Sequence, residues 1–217
     1  MRRTLATIIA VAPLLVVTTT RADERPIHEP SPETLGLHFG VRVGVGAPVG
    51  AAIPSGGMLA RSIAADVPFG LELGARLFDA RLQLSGVASV APLLVRDCAG
   101  EDARCRGHQL DVGVLASWHF APRREASPWI GLGFGYERLD LLYSEAGSAV
   151  DFVASGGTLG LHAGFDVRAS ERLRVGPVVS ASFGRYTTIA LDGVPSRDFE
   201  AATHGWIVFS LRATFDP

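Results

Sequence analysis

His108-Gln-Leu-Asp-Val-Gly-Val-Leu-Ala-Ser-Trp-His-Phe-Ala-Pro-Arg-Arg-Glu-Ala-Ser-Pro-Trp-Ile-Gly-Leu-Gly-Phe-Gly-Tyr-Glu-Arg138 is the stretch on which the fold turns. Leu110, Val112, Val114, Ala116, Trp118 and Phe120 take alternate positions, with Gln109, Asp111, Gly113, Leu115, Ser117 and His119 between them. After Ala121–Pro128 the alternation resumes, with Ile130, Leu132, Phe134 and Tyr136 against Gly131, Gly133, Gly135 and Glu137. A pleated strand turns successive side chains to opposite faces, so this period predicts two long strands joined as a hairpin. Soluble strands are mostly about five or six residues long. Arms of this length suit a bilayer, which a tilted strand crosses in about 9–11 residues. Folding the hairpin about residues 124–125 sets His119 across from Ile130 and Glu137 across from Val112, beside Asp111.

Outward from this hairpin the same alternation predicts eight strands. Leu35–Val45, Phe69–Leu77 and Leu82–Val90 precede it; Leu159–Arg168, Arg174–Gly184 and Ile207–Phe215 follow. Pro177 removes a ladder donor from the seventh, where a bulge is expected. The connections at Phe78–Arg81, Ala121–Pro128 and Ala169–Glu171 are short, whereas the others are longer and richer in Gly, Pro and acids. Short turns at one end and long loops at the other are the pattern of an outer-membrane barrel, with the long loops outside the cell. Phe78, Trp118, Phe120 and Phe215 then fall at the lower interface, and Tyr136, Tyr143, Phe183, Tyr186 and Trp206 at the upper one.

A soluble eight-stranded barrel is apolar inside and wet outside. Here one face is almost purely Leu, Val, Ile, Phe and Ala, while the other is Gly and Ser with a few charges. Glycine-rich positions suit a narrow interior and the apolar face suits lipid, so the expected fold is an all-β, eight-stranded antiparallel up-and-down transmembrane barrel. Its lumen would hold Arg42, Arg76, Arg168, Arg174 and Arg212 with Glu72, Asp111, Glu137 and Asp166. Buried charges must pair, so these residues predict an internal network and leave no wide pore.

The rest of the composition agrees. Met1-Arg-Arg3, an apolar run from Leu5 to Val17, and small residues at Thr20 and Ala22 read as a signal peptide over 1–22. The polar, Pro-rich stretch 23–34 reads as a flexible periplasmic leader, and 35–217 as the barrel domain. The content of 47% hydrophobic residues and 25 Gly is high for a soluble domain, yet after the leader no run is long enough for a spanning helix. A net charge of −2, with Arg as the only strong base, offers no basic patch for nucleic acid. Gly44-Val-Gly46-Ala-Pro-Val-Gly50 only loosely matches a dinucleotide fingerprint, because Pro48 denies the helix that must follow.

Leu110-Asp-Val-Gly113, Trp118-His-Phe-Ala-Pro122 and Pro128-Trp-Ile-Gly-Leu-Gly-Phe-Gly-Tyr-Glu137, with the loop Asp97-Cys-Ala-Gly-Glu-Asp-Ala-Arg-Cys-Arg106, resemble small outer-membrane β-barrel proteins of the OmpA/OmpX-like class, myxobacterial-type members included. The resemblance covers Leu35 to Phe215 and implies the outer membrane of a Gram-negative bacterium. Outer-membrane lipid, lipopolysaccharide and the assembly machinery are the implied partners, and a monomer without cofactor or metal the implied state. Gly205–Phe215 resembles the terminal strand that the assembly machinery recognises, with Phe215 as its aromatic signal. Cys98 and Cys105, the only cysteines, read as a disulfide in an oxidising envelope. The expected role is non-enzymatic: structural, adhesive or minor solute conduit. The alternative is a barrel hydrolase of lipid A or surface substrates, because Ser117 and His119 share the inward face of one strand. That chemistry needs a carboxylate oriented on the His.

Overall fold

The computed structural model describes residues 36–53, 57–58, 62–96, 104–145, 148–195 and 203–216. The signal-peptide and leader readings, and Cys98, lie outside the described residues. The strands are β1 (Gly36–Ile53), β2 (Gly57–Met58), β3 (Ile63–Asp66), β4 (Phe69–Leu77), β5 (Leu82–Val95), β6 (Arg104–His119), β7 (Ala126–Glu145), β8 (Ser148–Arg168), β9 (Leu173–Leu191), β10 (Val194–Pro195) and β11 (Thr203–Phe215). Neighbours pair antiparallel around a ring β1-β4-β5-β6-β7-β8-β9-β11, and β11 returns to β1 from Phe39↔Phe215 to Gly50↔His204. β3 prolongs the β4 stave, pairing with β1 at Gly46↔Asp66 and with β5 at Ile63↔Val95. The result is an eight-stranded ring. Closure leaves no open edge, the only way a sheet satisfies its backbone groups in hydrocarbon.

The hairpin pairs His119 with Trp129 and Asp111 with Glu137, one residue away from the expected register. Opposed residues of an antiparallel pair share a face, so inward His119 must meet an inward partner. Ile130 is lipid-facing and could not be that partner. Pro177 causes no register shift: β8 and β9 stay in step from Gly164↔Val178 to Val167↔Val175. The shift lies instead between Ser155 and Gly156, which pair with Thr188 and Tyr186. Thr187 is the extra residue of this bulge, and it lets Tyr186 and Ile189 both turn inward.

Short connections fall at one end, as expected. The tightest holds Phe78, Asp79 and Ala80 at φ of 48°, 57° and 63°. At the other end the expected long connection after the fifth strand is absent. β7 and β8 pair continuously from Ala126↔Val167 to Glu145↔Ser148, so only residues 146–147 join them. β9 likewise runs on to Leu191. The alternation continues there, but its polarity reverses. Above Glu137 the inward positions of β7 include buried Leu139, whereas Arg138 points out into solvent. Below that level Ile130, Leu132, Phe134 and Tyr136 point outward and are 47–66% exposed. Equivalent residues run round the ring, from Val41 and Val43 on β1 through Leu71, Val114, Leu161 and Val179 to Phe209 on β11. An apolar belt this large belongs in lipid, and the change of polarity marks where the bilayer ends.

Candidate functional site in the barrel interior

The inward-facing residues divide into a charged level near the short turns and a ring-rich level toward the long end. Glu72 on β4 is the centre of the first. Its Oε1 accepts from Arg212 Nη2 at 2.9 Å, Gln83 Nε2 at 2.5 Å and Ser85 Oγ at 2.8 Å. His38 Nε2 lies 3.3 Å from the same oxygen, and Arg42 Nη2 stands 3.6 Å from Oε2. One carboxylate thus ties together β1, β4, β5 and β11, including both partners of the closing seam. Arg212 also lies 3.7 Å from Asp166 Oδ2 and sets its guanidinium 4.8 Å from the centre of the Trp129 ring. Trp129 Nε1 in turn donates to Asp166 Oδ1 at 3.2 Å. Nearer the turns, Arg76 donates to Asp216 at 2.7 Å and Arg174 to the Pro122 carbonyl at 2.5 Å. Arg168 sits at the turn itself, against the Arg123 carbonyl, rather than in the lumen.

The structure therefore brings Arg42, Glu72, Asp166 and Arg212 together, with Arg76 below them on Asp216. Asp111 and Glu137 stand apart from this group. Glu137 Oε1 accepts from Tyr186 Oη at 2.6 Å and Trp206 Nε1 at 3.3 Å, with His204 Nε2 at 3.2 Å. The Tyr186 and His204 rings stack in parallel, 3.7 Å apart and 4° from coplanar. Buried Ile63, Leu93, Leu139, Ala154 and Ile189 pack around Tyr186 and Trp206. Tyr186 and Trp206 are consequently not girdle aromatics. Both are buried inside the barrel: Tyr186 continues the inward positions Ser182 and Gly184, Trp206 those of Ser210 and Arg212, and above the bilayer level the inward face carries apolar bodies. Trp118, Phe120, Phe78 and Phe215 do face outward at the short-turn end.

Rings explain part of the inward glycine pattern, while Gly44, Gly113 and Gly176 give room instead to the backbone of the neighbouring strand. A Cβ on Gly164 would lie 2.5 Å from the Trp129 ring, one on Gly74 2.6 Å from His38, and one on Gly184 2.7 Å from His204. Gly133 and Gly160 give the same clearance to His162. Glycine on one stave thus makes room for a ring on another, the steric price of filling so narrow a lumen. His162 falls on the inward face that alternation assigns it, with Gly160 and Gly164. Sequence reading overlooked Trp129 as an interior residue, although its odd position beside inward Gly131 carries the signal.

Ser117 Oγ has no hydrogen-bond partner among the described residues. His119 stacks on Trp129 at 5.9 Å and holds its Nδ1 3.9 Å from Asp166 Oδ2. The two residues lie side by side on one strand, and no hydrogen bond joins them. Cys105 enters β6 opposite Tyr143, while Cys98 is not among the described residues.

Between the two levels lies a cavity of about 170 Å³. Arg42 and Glu72 line its lower end; Asp66, Gln109, Asp111 and Trp206 line the upper. Gln109 Nε2 and Ser89 Oγ donate to Asp111 Oδ2 at 3.0 and 3.3 Å.

No protein-family model and no curated protein matches the sequence. Solved structures do resemble it. Neisserial surface protein A is 12% identical with a TM-score of 0.54, and the match covers 81% of this chain and 95% of that one. A major outer membrane protein from Thermus thermophilus is 11% identical with a TM-score of 0.53, over 83% and 99%. Outer membrane protein OprG from Pseudomonas aeruginosa is 14% identical with a TM-score of 0.51, over 83% and 95%. Ring closure, the lipid-facing belt and these likenesses together give the chain the fold of the small outer-membrane β-barrels, and with it a place in the outer membrane.

Proposed function

We propose that the chain is a non-enzymatic outer-membrane barrel whose function is carried outside the membrane, as a structural or adhesive surface element with at most a minor role as solute conduit. The observation that supports this most strongly is the filling of the lumen at two heights. Glu72 with Arg212 closes it toward the short turns, and Glu137 with Tyr186, Trp206 and His204 closes it toward the long end. Meanwhile β7, β8 and β9 run for 20, 21 and 19 residues, about twice the 9–11 that a bilayer requires. The excess length stands clear of the lipid as a paired, rigid platform. In planar bilayers the purified barrel should show no sustained open conductance; a steady ohmic current would refute the closed-lumen reading. Deacylation of lipid A by the purified protein, lost in Ser117→Ala, would overturn the non-enzymatic one.

The same reading makes lipopolysaccharide the lipid neighbour of the outer leaflet, a monomer the working state, and Cys98–Cys105 a disulfide that restrains the connection between β5 and β6. It also makes Phe215 the recognition signal for the assembly machinery. Phe215 faces outward at the end of β11, paired with Phe39 on β1 and Leu173 on β9. Before closure that strand offers open backbone groups and an apolar stripe to a partner sheet. Phe215→Ala should slow insertion in cells while leaving the detergent-refolded barrel nearly as stable. Insertion at the normal rate would remove the assignment.

A further inference from the structure

The interior charges are unevenly spread. Arg42 and Arg212, with Arg76 and Arg174 nearer the turns, face Glu72, Asp166 and Asp216 at the lower level. At the upper end of the cavity stand Asp66 and Asp111, with Glu137 paired beside Asp111, and no Arg among the described residues is in ion-pair contact with any of the three. Glu137 has only His204 in ion-pair contact beside its Tyr186 and Trp206 donors, and neither Asp66 nor Asp111 has an ion-pair partner among the described residues. Asp66 is 2% exposed and its Oδ1 accepts no hydrogen bond; Gln109 is 4% exposed and its Oε1 accepts none either. Both line the cavity beside Asp111. Buried carboxylates without a cation and acceptors without a donor are costly, and each calls for a positively charged donor.

We propose that the upper end of this cavity binds a small primary ammonium group, with Asp66, Gln109 and Asp111 as its acceptors. The chemistry fits on three counts. An ammonium carries three N–H donors, and three side chains present acceptors. Its charge offsets carboxylates that no arginine among the described residues reaches. The flanking Trp206 ring, together with Val208 and Leu115, supplies an apolar wall for an attached carbon. A water needs about 10–15 Å³ of such space. The cavity, at about 170 Å³, holds a methylammonium with waters to spare.

The test uses the folded barrel in detergent micelles, equilibrated at constant ionic strength with methylammonium, sodium or tetramethylammonium chloride. Methylammonium should raise the thermal midpoint saturably. Tetramethylammonium, which has no N–H, should not, and neither should sodium. Asp66→Asn, which keeps the shape and removes a charge, should weaken the methylammonium response at least about tenfold. The wild-type protein supplies a readout independent of any variant. Infrared difference spectra should show the carboxylate stretching bands shifting as methylammonium is added. Equal responses to all three salts, no response to any, a response to sodium matching that to methylammonium, an unaltered Asp66→Asn response, or carboxyl bands that ignore methylammonium would each overturn the proposal.

Discussion

Glu72→Ala should lower the unfolding free energy of the refolded barrel by about 3–5 kcal/mol, the cost of leaving a buried ion pair with one partner missing. Glu72 is 5% exposed and receives Arg212, Gln83 and Ser85 on a single oxygen, with Arg42 beside the other. Its loss leaves Arg42 without its carboxylate and Arg212 with only Asp166 at 3.7 Å, and it unties β11 from β4 across the seam where β1 closes the ring. Glu72→Gln keeps a carbonyl acceptor for Gln83 and Ser85 but removes the negative charge, so it should fall between wild type and Glu72→Ala. Urea titration of the barrel in lipid vesicles measures both. A loss below about 1 kcal/mol in Glu72→Ala, the range of an exposed pair, would mean that water reaches the site and screens it.

Val114→Arg should cost about 2–4 kcal/mol in the same assay, the penalty for a cation near the middle of the hydrocarbon. Val114 lies outward on β6, 61% exposed, between Gly86 on β5 and Phe134 on β7, below the Tyr136 level and above Trp118. The contrasting position must face the lumen and have space. Ser117 is inward but packed closely against Gly131, so Ser182, which lines the cavity, is the better comparison. Ser182→Asn should change stability by less than about 1 kcal/mol, within the range of substitutions that disturb no packed or charged feature. Equal losses at the two positions would contradict the lipid-outside assignment.

These predictions draw on different kinds of information. The face of Val114 was legible without coordinates, because alternation assigns a face to each residue and the lipid-facing set needs no partner to be identified. For the same reason the strand order, the short-turn end and the inward position of Glu72, Arg212, Asp111 and Glu137 followed from the amino-acid sequence. Alternation misled where the solvent changed. Arg138 and Leu139 sit on the faces that period two assigns them, but with water outside and an apolar core within. A reading tuned to apolar-out strands took that segment for a loop and sent Tyr186 and Trp206 to the membrane interface.

By itself, then, the sequence determined the barrel and its strand number, since each rests on a periodicity that is local to one strand. Only the tertiary structure decided which lumen charges meet. Arg212 reaches Glu72 across 140 residues of chain, while Asp111 and Glu137, directly paired, find no arginine at all among the described residues. Such meetings depend on the height each residue takes in the closed ring, which is set by the register of every seam together. The splitting of one expected charge network into a paired lower level and a cation-poor upper end is a consequence of that register, because a side chain confined to a narrow lumen can reach only partners at its own height.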